Sequence, residues 1–174
     1  MPFIKPFRDH SPHAVINLFG VNSTDADKGT LVKIATGFTS TDNFITDTIG
    51  LAYANTVSSR YGTTARVTPT TSTGDTAIGI LLHSVKEFDE NGEPLKFHPD
   101  KQAAMGVVLS GQACPIATAG IFMYSGTLGS VTAGAPAYAS GNGGITTNYN
   151  GNQRVGKFLG PNDNRGFALL KLEL

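Results

Sequence analysis

Short apolar runs separated by polar, glycine-rich segments recur along most of the chain. Residues 31–35 alternate apolar and polar side chains, which is the pattern of a half-buried strand. Residues 77–85 form a nearly continuous apolar run of strand length and predict a central strand. Residues 134–147 predict a hairpin with a glycine-rich loop, and residues 153–159 and 167–174 predict the last two strands. Most of the chain is therefore predicted to be β-structure.

Three other segments complete the predicted secondary structure. The dipeptide Asn91-Gly92 lies between runs that can pair, and both residues tolerate positive φ, so it predicts a β-hairpin. Residues 107–124, the most apolar stretch, are interrupted by glycines and a proline and predict two short strands and a turn rather than a membrane span. Residues 47–62 place four apolar side chains near helical spacing. The sequence thus predicts an all-β fold with at most one short helix.

The N-terminal segment differs in character from the rest of the chain. Three prolines among its first twelve residues prevent a continuous helix. We therefore expect an extended arm over residues 1–25, followed by a single β-barrel domain over residues 26–174. Exposure of Phe3 and Phe7 on an arm is costly in water unless the arm lies against its own domain or a neighbour. An ordinary first strand of the barrel is the alternative interpretation.

An internal similarity links the two halves of the chain. A glycine-led strand and a polar loop at residues 29–43 are followed by a strand with a glycine in its middle, Gly79. The same order occurs at residues 134–148, followed by a strand that contains Gly156. Glycine within a strand marks a bulge or a close backbone approach, so its recurrence favours a small barrel built from related hairpins.

The composition limits the classes of partner. Glycine is frequent, at 21 of 174 residues, and charged residues make up only 15%, which favours strands and turns over long helices. Thirteen basic and thirteen acidic side chains cancel, so no excess positive charge is available to bind nucleic acid or an anionic membrane. The single cysteine, Cys114, allows no internal disulfide, and the N-terminus lacks the apolar core of a signal peptide. These features fit synthesis in the cytosol.

The polar residues show no arrangement that is typical of catalysis or of a transition-metal site. His10 and His13 are three residues apart, but Pro12 opposes the helix that would bring them together, and no HExxH pattern is present. Cys114 has no partnering base in the sequence pattern and is expected to be a buried, unreactive thiol. We therefore expect no catalytic residue, no metal ligand and no cofactor, and a protein that is not an enzyme.

Two polar loops share only part of the sequence pattern of ligand-binding loops. The acidic residues around Asn91-Gly92 begin like a calcium loop, but Asp100 stands where a bidentate glutamate is expected. The glycine-rich residues 140–144 lack the lysine and hydroxyl residue of a phosphate-binding loop. The first segment is predicted to be a solvated turn and the second a hairpin loop.

The C-terminal third carries a distinctive order of motifs. A strand with the pattern G-x-P-x-Y (134–138) precedes a glycine-containing hairpin. A strand with the pattern x-V-G-x-x-L (154–159) and a terminal strand of alternating leucines (167–174) follow. In this order the segment resembles the small capsid decoration, or cement, proteins of bacteriophages. The resemblance covers residues 126–174 well and the middle of the chain less closely.

The resemblance implies a small β-barrel or β-tulip-like domain with a structural function. Such a protein binds the outer surface of the assembled icosahedral head as a homotrimer and stabilises it. The implied partners are the major capsid protein and other copies of the chain, with neither nucleic acid nor membrane. The implied location is the outer surface of the virion, after synthesis in the host cytoplasm. The alternatives are another virion β module, such as a tail, baseplate or fibre component that binds carbohydrate, and a small β-barrel enzyme.

On this interpretation the N-terminal segment supplies the contacts with the capsid or with a neighbouring copy. Apolar and arginine side chains on an extended segment contribute affinity when a partner buries them. The expected contact residues are Pro2, Phe3, Ile4, Pro6, Phe7 and Arg8. Deletion of residues 1–9 is expected to leave the domain folded and to weaken capsid binding.

Overall fold

The computed structural model describes residues 2–7, 11–17, 19–21, 23, 25–38, 65–127 and 130–174. The strands of these residues, numbered in chain order, are β1 (Phe3–Pro6), β2 (Val15–Ile16), β3 (Gly20–Val21), β4 (Asp25–Ala26), β5 (Leu31–Phe38), β6 (Ala65–Pro69), β7 (Ala77–Leu81), β8 (Ser84–Lys86), β9 (Val107–Val108), β10 (Ile116–Ala117), β11 (Ala119–Ser125), β12 (Pro136–Ala139), β13 (Ile145–Thr146), β14 (Arg154–Phe158) and β15 (Phe167–Glu173). One α-helix, α1 (Pro99–Met105), and two short 3-10 turns accompany them. The sheets are curled and include a half-barrel, which confirms the all-β prediction.

The strands form three sheets that pack as layers. Sheet A has the order β1-β11-β15-β14-β12-β13, sheet B the order β2-β10-β7-β5-β6-β3, and sheet C the order β4-β8-β9. One apolar core joins sheets A and B, and a second joins sheet B to sheet C. On β7, Ile80 enters the first core and Leu81 the second, and both are fully buried. Strand β7 is therefore central, as its continuous apolar run predicts.

Hydrogen bonds also connect sheet A to sheet B. The N–H of Leu31 donates to Gly143 O at 2.7 Å, in the glycine-rich hairpin loop. The side-chain amide of Gln153 bonds both backbone groups of Ala77, accepting from its N–H at 2.6 Å and donating to its C=O at 3.3 Å. Backbone groups that enter a layered core need such partners, because an unpaired buried group is costly.

Five strands of sheet B and five strands of sheet A are connected in the same order, which supports the predicted internal similarity. The first unit, β2, β5, β6, β7 and β10, has the order β2-β10-β7-β5-β6 within sheet B. The second unit, β11 to β15, has the order β11-β15-β14-β12-β13 within sheet A. Numbered within each unit, both orders are 1-5-4-2-3, and all of these pairings are antiparallel.

The two units also have backbone hydrogen bonds at equivalent positions. The N–H of Gly29 donates to Leu81 O at 2.8 Å, and the N–H of Gly134 donates to Phe158 O at 2.8 Å. Both glycines have positive φ, 99° and 81°, and each lies two residues before the second strand of its unit. The similarity therefore extends from strand order to the conformation of single residues.

The mid-strand glycines lie at the same place in both units. Each occupies the third position of the fourth strand, beside a bulge in the pairing with the second strand. A Cβ atom added to Gly156 would lie far inside van der Waals contact with Lys171 O, and one added to Gly79 would lie 2.6 Å from Ala117 O. The predicted close backbone approach is confirmed at both positions.

The N-terminal residues form an edge strand of sheet A. Strand β1 pairs antiparallel with β11, and Ile4 is completely buried in the core between sheets A and B. Phe3–Pro6 therefore form a strand of the sheet, which is the second of the two interpretations, rather than an extended arm. Deletion of residues 1–9 would remove a core side chain, contrary to the expectation that the remaining domain is unaffected.

The turn at Asn91-Gly92 is confirmed, but it does not lead into a full hairpin. Gly92 has φ 82°, and Phe88 and Pro94 form a single antiparallel bridge around the turn. Pro94 has no N–H with which to continue the ladder. The chain instead enters a 3-10 turn at Leu95–Phe97 and then α1.

Helix α1 is additional to the predicted elements. It begins at Pro99, whose fixed φ suits a first helical turn, and is capped by Gly106 with φ 62°. The helix predicted within residues 47–62 lies outside the described residues. Residues 107–124 contain β9, β10 and most of β11, one strand more than predicted, because the chain passes through sheets C, B and A in turn.

Two aspartates stabilise loops between these elements. Asp75 accepts hydrogen bonds from the Lys33 ammonium at 2.8 Å and from the N–H groups of Thr71 and Ser72. These donors, Lys33 first among them, lower the pKa of Asp75 from 3.8 to about 2. Asp89 is bonded by Lys101 and by two backbone N–H groups of the Asn91-Gly92 turn, and its pKa is likewise lowered to about 2.

We expect the protein to lose stability as the pH falls from about 4 to 2. A carboxylate whose folded pKa lies below its unfolded value of about 3.9 contributes stability above that value and loses it as the pH falls through the folded pKa. The double variant Asp75→Asn/Asp89→Asn should be less stable at neutral pH, and its stability should fall less over this window. Urea unfolding at several pH values measures both effects, and parallel curves for the two proteins would contradict the assignment.

Candidate interaction surface

Sheet A has one face in the core and one exterior face. On β15, Ala168, Leu170 and Leu172 enter the core, and the residues between them lie on the other side because side chains alternate along a strand. The same alternation holds on β1 and β11. Exterior side chains of β1, of the residue that follows it and of β15 are all exposed or half-buried and include Phe3, Lys5, Phe7, Phe167, Leu169 and Lys171. The exterior face therefore mixes apolar and basic groups.

Three side chains of sheet A and Lys28, from the turn before β5, form an aromatic–lysine cluster, defined as Phe3, Lys5, Lys28 and Phe167. The rings of Phe3 and Phe167 meet edge to face, with centroids 6.2 Å apart. The Lys5 ammonium lies 5.7 and 5.5 Å from the two ring centroids, and that of Lys28 lies 6.0 Å from the Phe3 centroid. Each exposed cation–π contact contributes roughly 0.5–1 kcal/mol. The cluster thus holds two positive charges against an exposed apolar surface.

The outer edge of β1, where Gly29 approaches the backbone of Phe3 and Ile4, does not favour the addition of another strand. The N–H of Phe7 donates to Ile121 O on β11 at 3.0 Å, so alternate residues of β1 turn their backbone groups toward β11. Ile4 and Pro6 occupy the positions between, where backbone groups point away from the sheet. Pro6 is exposed and has no N–H to donate, and proline on an edge blocks further pairing. A partner is therefore expected to contact the exterior face of sheet A rather than the edge of β1. Pro2, one residue before β1, is half-buried.

The structure divides the predicted contact residues. Phe3 and Phe7 are exposed, at 40% and 58%, on the exterior face of sheet A. Ile4 has no exposed surface, because it packs in the core, so its side chain is not available to a partner and its assignment as a contact residue is corrected. Arg8 lies outside the described residues.

Three members of the aromatic–lysine cluster are additional to the predicted contact residues. Lys5 alternates with Phe3 and Phe7, so interpreting the segment as a strand would have placed all three side chains on one face. Lys28 and Phe167 come from distant parts of the chain, and local sequence carries no signal that they meet.

The structure also shows the surroundings of the cysteine and of the histidines that the sequence singles out. Cys114 is buried, and burial raises the pKa of its thiol to about 12, so the thiol is protonated at neutral pH. The Nδ1 atom of His83 lies 2.8 Å from Gly106 O at the end of α1. His10 falls outside the described part of the chain. Among the described residues, no group of three histidine, cysteine, aspartate or glutamate side chains is placed to hold a metal ion.

No described helix has the length and apolar character needed to cross a bilayer. Comparisons of the chain with protein-family models, with curated proteins and with solved structures gave no match. The chemistry of the exterior face is therefore the main observation that bears on function.

Proposed function

We propose that this chain is a bacteriophage capsid decoration protein that binds the outer surface of the assembled head and stabilises it. The observation that carries the proposal is the fixed presentation of Phe3 and Phe7. Ile4 anchors the strand between them in the core, so both phenylalanines are exposed on a backbone that is already ordered. Exposed large aromatic side chains of this kind are typical of interaction surfaces.

The ordered strand reduces the free-energy cost of association. Ordering a flexible side chain at an interface costs about 0.5–1.5 kcal/mol, and ordering a backbone costs more. Because β1 is paired with β11 before a partner arrives, folding has already ordered this backbone, and binding does not incur the cost again. A modest contact can then be specific.

The aromatic–lysine cluster indicates the chemistry of the partner surface. The Lys5 and Lys28 ammonium groups lie beside the Phe3 ring, so a matching surface would offer carboxylates next to apolar side chains. The proposed partner is the major capsid protein, on the outer surface of the virion, after synthesis in the host cytoplasm. The zero formal net charge of the chain disfavours binding to packaged or free DNA.

The proposed mechanism is mass action on the assembled shell. A protein that binds the assembled lattice and not the free capsid subunits shifts the equilibrium away from dissociation. A copy that bridges neighbouring capsomers also resists rupture by the internal pressure of DNA. Binding as a trimer, the proposed oligomer, would add avidity when several contacts engage together.

The double variant Phe3→Ala/Phe7→Ala should weaken binding to heads by roughly 30- to 1,000-fold. Each buried aromatic anchor contributes about 1–2 kcal/mol or more at such an interface. Binding is measured by co-sedimentation with expanded heads assembled from the major capsid protein of the same phage. Phe3 and Phe7 lie outside the buried core, so the variant should remain folded.

The matched control is Ile34→Ala, which removes a side chain of similar exposure, 56%, from β5. It should bind heads like the unmodified chain. Unchanged binding of the phenylalanine variant, or equal losses in both variants, would contradict the proposed contact. Failure of the unmodified chain to bind these heads would contradict the proposed function itself.

A further inference from the structure

The internal repeat relates buried positions of the first unit to exterior positions of the second. Three residues of the first unit point from sheet B toward sheet A and lie in their shared core, Ala77, Ile80 and Ala117. The matching registers place the corresponding residues of the second unit at Arg154, Lys157 and Lys171. These three, the basic trio, lie on the exterior face. The face of the first unit that sheet A covers is therefore apolar, whereas the equivalent face of the second unit is basic.

Within the sheet, the charges of the basic trio are poorly balanced. Lys157 and Lys171 are direct cross-strand partners on β14 and β15. Like charges in this position destabilise a sheet. Glu173 forms an ion pair with Lys171, and its pKa is lowered mainly by that contact. The Glu173 carboxylate thus offsets part of the charge of the basic trio, and a partner that supplied further carboxylates would relieve the remaining repulsion.

The connection between two strands of sheet C carries an excess of carboxylates. Sheet C covers the other face of sheet B, and residues 87–100 belong to the segment that joins its strands β8 and β9. These residues, the acidic segment, contain five carboxylates and Lys96, and Lys101 just beyond them forms ion pairs with Asp89 and Glu90. Glu90 and Glu93 are exposed at its turn. The basic trio therefore lies on sheet A, and the exposed carboxylates Glu90 and Glu93 lie on a connection within sheet C.

We infer that a second copy of this chain docks head to tail, with its acidic segment on the basic trio. A symmetric contact between two basic trios would place like charges together and is disfavoured. A head-to-tail contact joins opposite charges and either closes into a ring or continues as a filament. Closure with three copies would give the trimer of the proposed function. The inference deepens that part of the proposal, and its test does not require capsid binding.

The docking contact leaves the aromatic–lysine cluster available for the shell. Strand β1, which carries Phe3 and Lys5, is separated from β14 by β11 and β15. Neighbouring strands lie about 4.8 Å apart, so Phe3 and Lys5 lie roughly 14 Å from Arg154 and Lys157, although β15 carries both Phe167 of the cluster and Lys171 of the trio. One copy can therefore contact a second copy and the capsid at different parts of the same face.

Charge reversal tests the docking contact in solution. The pair Arg154→Glu/Lys157→Glu and the pair Glu90→Lys/Glu93→Lys should each weaken self-association at least tenfold, because each brings like charges together. The chain with all four substitutions should associate again, since its charges are exchanged between the two contact surfaces. Sedimentation velocity over a range of concentrations measures association. Self-association of the unmodified chain should also weaken as salt is added.

A monomeric unmodified chain at all concentrations would overturn the inference. It would show that the basic trio is a solvated surface at which the stack of sheets ends, like the polar outer face of a terminal repeat. Association that neither pair weakens, or that the fourfold variant does not restore, would overturn it as well. Thermal melts check that the variants fold, and if a pair does not fold, the salt dependence of the unmodified chain decides.

Head binding separates this inference from the proposed function. Loss of self-association in a charge-reversal pair, with Phe3 and Phe7 intact and measured without heads, reports on the docking contact alone. A self-associating chain that does not bind heads would overturn the decoration function and leave the docking contact supported. A monomeric chain that binds heads would do the reverse.

Discussion

Replacing Gly156 with alanine should lower the free energy of unfolding by about 3 kcal/mol or more. The added Cβ would meet Lys171 O of the neighbouring strand, a backbone atom that cannot turn aside as a flexible side chain could. Strands β14 and β15 would have to separate at a buried position of sheet A. In a chain of this length the melting temperature should fall by roughly 6–12 °C for 3 kcal/mol. Urea unfolding monitored by circular dichroism measures the loss.

Two other glycines serve as comparisons. Gly160, one residue beyond the Leu159 that follows β14, has no atom within 4 Å of an added Cβ, so Gly160→Ala should leave stability unchanged or raise it by up to about 1 kcal/mol. Gly79→Ala should be destabilising but less so than Gly156→Ala, because part of its clash is with the Ile116 side chain, which can move. Equal effects at Gly156 and Gly160 would contradict the close strand approach.

Both mid-strand glycines were identifiable from the sequence because their signal is local. A glycine inside an apolar strand pattern is unfavourable unless the backbone needs it, so Gly79 and Gly156 already indicated a constraint. Strands β5, β7, β14 and β15 were predicted for the same reason, since their apolar patterns extend over four or more residues. The two-residue strands β2, β3 and β4 are too short to produce a periodic pattern.

The layering of the sheets was not predictable from local patterns. The pairing of β7 with both β5 and β10, and the stacking of sheet A on one face of sheet B, join residues far apart in the chain. Alternation shows that a strand has a buried face but not which sheet covers it. The internal similarity was the one long-range signal in the sequence, and it predicted related hairpins without their order.

Helix α1 was missed although its termini carried recognisable signals. Pro99 at the start and Gly106 just past the end are the residues that favour those positions. The preceding Asn91-Gly92 turn favoured a hairpin, and that expectation assigned the following residues to a strand. Pro94, which cannot donate to a ladder, was the local evidence against it.

The candidate site was predictable in part. Phe3 and Phe7 were identified as exposed because phenylalanine on an extended, proline-rich segment stands out, and both are exposed. Ile4 has the same apolar character, and composition alone cannot separate a residue that faces a core from one that faces a partner. The alternation of Phe3, Ile4 and Lys5 would have made that separation had the segment been treated as a strand.

Replacing Ile4 with alanine should lower the free energy of unfolding by about 2–5 kcal/mol. The side chain is completely buried between sheets A and B, so truncation loses apolar burial and leaves a cavity. Lys5→Ala, on the exterior side of the same strand, should change stability by no more than about 1–2 kcal/mol, the sum of its two exposed cation–π contacts. Urea unfolding compares the two variants. If Ile4→Ala were as stable as Lys5→Ala, the segment would be a detached arm, and the fixed presentation of Phe3 and Phe7 on which the capsid contact depends would be lost.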